Sequence, residues 1–203
     1  MGAWGSGLLE NDDALDWLEE AAEDPAPDVV LARAREVFAQ IVSDPSPEVD
    51  LVNQVIAAAT WVTCQQPEGY DALLDALADL EDGSCEALAA YPTLFCPATP
   101  EDRADPVDSV SPDVWRQCAQ LAVRALDAAI SPDSQWRQMW EEADNAAEDG
   151  SAEYGTFDDD SDRDARNPDE DVDVEVDGVG PGAGFAACAS VHSLRSQLVA
   201  IYT

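Results

Sequence analysis

The segment from Pro47 to Gln65 constrains the fold of this chain more than any other. Leu51, Val52, Val55, Ile56, Ala59 and Val62 recur at helical spacing and make a wide apolar face. Ala57, Ala58 and Ala59 leave room for neighbours to approach closely. A helix this apolar has to be enclosed by other elements, so the segment predicts a central, well-buried helix. The remaining periodic segments must then supply the shell around it.

Those segments are helical by the same test. Asn11 or Asp12 can cap a first helix running to about Glu23, with Leu15, Trp17 and Leu18 on its apolar side. Pro27 fits the first turn of a second, in which Val30, Ala34, Val37, Phe38, Ile41 and Val42 share one face. Asp71 to Leu80 reads as a shorter amphipathic helix. Five residues that break or bend chain (Gly83, Pro92, Pro97, Pro100 and Pro106) predict loop over 83–110, with one short helix near Glu86–Tyr91. Ser111-Pro112-Asp113 starts a further helix carrying Val114, Cys118, Leu121, Ala122, Ala125, Leu126 and Ile130. Ser131-Pro132-Asp133 repeats the start signal before Trp136, Met139 and Trp140. The predicted class is mainly α, a compact helical bundle of about five to six helices, followed by an acidic flexible segment and a short C-terminal helix.

Charge divides the chain in the same places. The 203 residues carry 44 acids against 9 bases, net −35, and all nine bases are Arg. Residues 1–145 have net charge −24 and are assigned to a helical domain. Residues 146–180 have net charge −12 with few large apolar side chains, the composition of a self-repelling linker or tail. Residues 181–203 contain no acid and one Arg. There Phe185, Cys188, Val191, Leu194, Leu198 and Ile201 can share one helical face, which suits docking on the body or on a partner. Asp171 to Asp177 alternates as a strand would, inside the acidic segment.

This balance excludes several functions. Direct binding to nucleic acid or to an anionic membrane needs a basic footprint that the chain lacks. No apolar run approaches the ~20 residues of a membrane span, and the N-terminus has no basic and apolar signal pattern. The expected location is cytoplasmic. Cys64, Cys85, Cys96, Cys118 and Cys188 are odd in number and include no CxxC pair, so buried thiols are expected rather than a disulfide framework or zinc ribbon. No cofactor is expected.

Candidate chemistry is sparse. The run Asp158, Asp159, Asp160, Asp162 invites a calcium loop, yet from Asp158 the sixth residue is Arg163 and the twelfth Asp169. From Asp173 the sixth is Gly178 but the twelfth is Gly184. Neither frame completes a ligand set. His192 is the single histidine, four residues after Cys188, and two ligands do not make a zinc site. A phosphate loop is excluded because the chain has no Lys. Paired carboxylates such as Asp12, Asp13 and Asp16 do acid/base work only where burial separates their pKa values. The six tryptophans all fall in the first 145 residues and read as core.

The opening MGAWGSGLLENDDALDWLEE is a distinctive string. Met1, Gly2, Ala3, Trp4, Gly5, Gly7, Glu10, Asn11, Asp12, Asp13, Asp16, Trp17 and Leu18 resemble the opening of the bacterial family known as domain of unknown function 4259. Leu9 stands where that family usually has an aromatic. Leu121 to Ala143 is similar to the family's closing helices, so the likeness covers about residues 1–145. The resemblance implies a small, mainly helical cytosolic protein without an established reaction, some relatives being immunity-like in composition and size. It carries over no catalytic residue.

The expected function is a non-enzymatic acidic interaction protein that binds and occludes a basic partner, as an immunity protein or a mimic of DNA charge would. Asp12, Asp13, Asp16, Asp158, Asp159, Asp160 and Asp162 are the candidate partner-binding residues. The alternatives are acidity as adaptation to a salt-rich cytoplasm, and an enzyme using carboxylates with a divalent cation.

Overall fold

Thirteen of the sixteen residues in one helix, Val49–Cys64, are buried; the exceptions are Val49, Asp50 and Gln54. The computed structural model describes residues 7–79, 88–95, 110–148 and 183–202. In chain order the helices are α1 (Asp12–Glu23), α2 (Pro27–Ser43), α3 (Val49–Cys64), α4 (Pro67–Asp79), α5 (Pro92–Phe95), α6 (Pro112–Ala129), α7 (Gln135–Glu148) and α8 (Ala183–Tyr202). No strand occurs among the described residues. The class is therefore all-helical, and α3 is its axis. It packs against α1, α2, α4, α5, α6, α7 and α8. Its three consecutive alanines, Ala57, Ala58 and Ala59, are each fully buried, which lets neighbours close in around it.

The shell helices present the faces that their sequence spacing defines. α1 buries Ala14, Trp17, Leu18 and Ala21, and α2 buries Val30, Leu31, Ala34, Val37, Phe38 and Ile41. α6 buries Trp115, Cys118, Ala119, Ala122, Ala125, Leu126 and Ala129, lying across α2 and α3. The rings of Trp61 in α3 and Trp115 in α6 meet with centroids 5.6 Å apart, tilted by 43°. Trp136 and Trp140 pack edge-to-face within α7 at 6.3 Å. Such aromatic contacts add about 0.5–1.5 kcal/mol each beyond the area they bury.

Helix starts show how local and tertiary signals divide the work. Asn11 caps α1 in the expected manner, its side-chain oxygen accepting from the Ala14 N–H at 2.8 Å. α4 begins at Pro67, a turn earlier than its apolar pattern, because the Gln66 carbonyl accepts from the Gly69 and Tyr70 N–H groups. Residues 88–90 are helical and the proline-led turn α5 follows, burying Leu94 and Phe95. The second Ser-Pro-Asp string does not start its helix. Residues 131–133 form a turn after α6, and α7 begins at Gln135, whose N–H donates to the Pro47 carbonyl at 3.2 Å. The Ser134 carbonyl accepts the first helical bond, from Gln138.

α8 lies against α4, α6, α7 and α3. Ala187, Val191, Leu194 and Leu198, spaced four, three and four apart, are buried in that seam. Burying the three larger side chains is worth roughly 1.5–3 kcal/mol apiece, an upper figure because the unfolded chain also buries some surface. Cys188 and Ile201 are half-buried at its edges. The Asp171–Asp177 alternation, the Phe185 side chain and the calcium-like frames lie outside the described residues.

Candidate functional site

The outer face of α1 is a surface of one sign. Asp12, Asp16, Glu19, Glu20 and Glu23 are all exposed. Their spacing of four, three, one and three places them along one side of a helix, opposite the buried Ala14, Trp17, Leu18 and Ala21. The helix contains no basic residue. Arg33 of α2 approaches Glu20 at 3.3 Å, an exposed pair worth at most about 1 kcal/mol. Asp12 and Asp13 lie in the first turn, where the helix dipole favours negative charge.

The three predicted α1 carboxylates are not equivalent. Asp12 and Asp16 face solvent, whereas Asp13 turns inward and its Oδ2 accepts from the Asn53 Nδ2 at 3.1 Å. Asn53 is itself buried in α3, so this bond ties α1 to the axis of the bundle. Glu19, Glu20 and Glu23 complete the stripe, and the helical period starting from Asp12 and Asp16 already points to them. Asp158, Asp159, Asp160 and Asp162 lie outside the described residues.

The nucleophiles are placed for packing. Cys64 and Cys118 are buried. Burial pushes the Cys118 thiol from 9.0 up to about 12, with Arg35 opposing, and pushes Cys64 up as well. Thiols held neutral in this way are poor nucleophiles and poor metal ligands. Cys188 is raised by burial too, against the opposing field of Arg137 and with Glu141 and Asp144 adding to the rise. His192 is exposed. Among the described residues no group of three or more His, Cys, Asp or Glu side chains converges as a metal site would, and no helix is long and apolar enough to cross a membrane.

The N-terminal motif is structural where it is described. The Gly7 N–H donates to Glu10 Oε2 at 2.9 Å and the Glu10 N–H to the Gly7 carbonyl at 3.3 Å, which closes a turn ahead of the cap. Leu8 and Leu9 are buried beneath it. Leu9 is therefore a core side chain, a position an aromatic could also fill. The family model described as Domain of unknown function (DUF4259) matches residues 2–153. The chain belongs to this family. Neither the curated proteins nor the solved structures compared with it gave a match. The DUF4259 match takes in all of α1 to α7, and α8 lies beyond it. So α8 packs on the DUF4259 body from outside the matched residues.

Proposed function

We propose that the chain is a non-enzymatic interaction protein whose acidic surface binds and occludes a basic protein. The observation that carries this reading is the exposed stripe Asp12, Asp16, Glu19, Glu20 and Glu23. A stripe of one sign on a rigid helix steers a cationic partner and selects against anionic ones. The partner class is a basic, nucleic-acid-binding or toxin-like protein, neutralised in the manner of an immunity protein or a mimic of DNA charge. This role suits a cytoplasmic setting. The test is affinity against a panel of cationic proteins at increasing salt. Binding should weaken steeply with salt, and again in the variant D16N/E19Q/E23Q. Absence of any retained basic partner at low salt refutes the proposal.

A second reading rests on the spread of charge. α2 exposes Asp28 and Glu36, α4 exposes Asp71 and Asp75, α6 exposes Asp113 and Asp127, and α7 exposes Glu141 and Glu142. Acids on helix after helix, with Arg as the only base, suit a protein working in a salt-rich interior. Unfolding measured from low to multimolar KCl separates the readings. Loss of structure at low salt favours this one, and folding indifferent to salt removes it. The remaining alternative, a carboxylate enzyme with a divalent cation, predicts a saturable site in calorimetric titrations with calcium and magnesium.

A further inference from the structure

We infer that the seam of α4, α6 and α7 is a helix-docking groove, filled in cis by α8, and that an apolar, acid-free, basic helix of a partner can take the place of α8. The inference goes beyond the acidic stripe of α1 and does not depend on it.

Four observations carry the argument. The groove is built from DUF4259-matched residues, whereas its occupant lies outside the match. The occupant binds as an amphipathic helix does in a groove, through Ala187, Val191, Leu194 and Leu198 on one stripe. The charges are complementary. α8 carries no acid and a single Arg195, which is held by Asp127 of α6 through Nε at 2.5 Å and Nη2 at 3.3 Å. On α7, Glu141 and Asp144 also act on Cys188, with Glu141 already paired to Arg137 at 2.7 Å. The edge of the seam is also open. A cleft of about 140 Å³, lined by Ala119, Gln120, Val123, Leu198, Val199 and Tyr202, opens to solvent between α6 and α8, so an occupant with bulkier side chains along that edge would still fit.

Other ties of α8 to the body are made by side chains at its C-terminal half. The Tyr202 hydroxyl donates to the Val62 carbonyl at 3.2 Å, and Gln197 Nε2 reaches the Ala72 carbonyl at 3.5 Å. Both acceptors are backbone groups, which any helix with a suitable polar side chain could use. The groove therefore asks for an apolar stripe at four-, three- and four-residue spacing, a cation opposite Asp127, and no carboxylate along the rim.

The test uses the full-length chain. A fluorescein-labelled peptide of residues 183–203 is titrated with the wild type and with L194A/L198A, and hydrogen exchange follows α3 and α8 in each. Each Leu→Ala change should lower the docking equilibrium roughly 30-fold or more. The expected result is that α8 loses protection in the double variant while α3 keeps it. The peptide then binds the variant saturably, at least 30-fold more tightly than it binds the filled wild type. A control peptide carrying L198D should fail to bind. The inference is overturned if α3 loses protection together with α8, since α8 would then be inseparable from the core. It is equally overturned if α8 stays protected in the variant, if the vacated groove ignores the peptide, or if the L198D peptide binds as well. No basic protein enters the assay, so its failure leaves the reading of the α1 stripe untouched.

Discussion

Replacing Gly69 by Ala opposes helix propensity to tertiary packing, and the structure decides the sign. Gly69 lies in the first turn of α4. By propensity alone, Ala in place of Gly should stabilise a helix by about 1 kcal/mol. Here a Cβ would land on the Thr63 carbonyl oxygen and stand 2.7 Å from Ile201 Cδ1. The two obstacles differ in kind. Ile201 is a flexible, half-buried side chain near the end of α8 and can swing aside. The Thr63 carbonyl is backbone in the last turn of α3, next to the bonds that end that helix. Relief requires α4 to move away from α3 by about an ångström, and overpacking of this order costs typically about 1–3 kcal/mol, occasionally more. A clash this close with backbone puts the cost in the upper part of that range, about 2–3 kcal/mol. Against the propensity gain of about 1 kcal/mol, the net effect should still be destabilising, by roughly 1–2 kcal/mol. For a chain of this size that lowers Tm by about 2–8 °C. The assay is thermal unfolding followed by circular dichroism at fixed salt, on G69A, I201A and the double variant. The double variant should recover only the part of the strain owed to Ile201. A Tm for G69A equal to or above the wild type would refute the packing argument and leave propensity in control.

Further predictions follow from single contacts. Asn11→Ala removes the α1 cap and should cost about 1 kcal/mol, read as a lowered denaturant midpoint with unchanged slope. Thr60→Val should raise stability by about 1 kcal/mol, because the buried Thr60 hydroxyl has no hydrogen-bond partner, whereas Thr63 donates to the Ala59 carbonyl at 2.9 Å; a destabilised variant would contradict this. Alkaline pH should unfold the protein. Burial raises the Cys118 thiol from 9.0 and the Tyr202 phenol from 10.0, each to about 12, so the folded state holds protons that the unfolded state releases first. Stability is then full below about pH 9 and is lost progressively from there toward pH 12. Cys118→Ala should flatten that decline, and an unchanged slope would show that the thiol does not titrate with unfolding.

Local pattern carried much of this fold. The period of α3 predicted the enclosed axis, and Asn11, Pro27 and Pro112 stand at or next to helix starts as their chemistry suggests. The α1 stripe was legible too, since Asp12 and Asp16 extend by helical spacing to Glu19, Glu20 and Glu23. Asp13 was not distinguishable from its neighbours in the string. Its inward turn depends on Asn53, forty residues away, and no local rule reaches that far. The second Ser-Pro-Asp string failed as a start signal for a similar reason, because the first residue of α7 bonds to the Pro47 carbonyl in a different part of the chain.

The sequence by itself determined which of the long segments are helical, which face of each is apolar, and that the one acid-free segment follows the most acidic one. All of these depend on neighbours within a few residues, where spacing and side-chain type settle the energetics. Only the tertiary structure decided where α8 lies, that a glycine is needed at Gly69, and that Arg195 meets Asp127 across 68 positions of sequence. Those outcomes depend on which surfaces meet. A helical period says that a face must be buried; what buries it is chosen by shape and charge on a distant part of the chain.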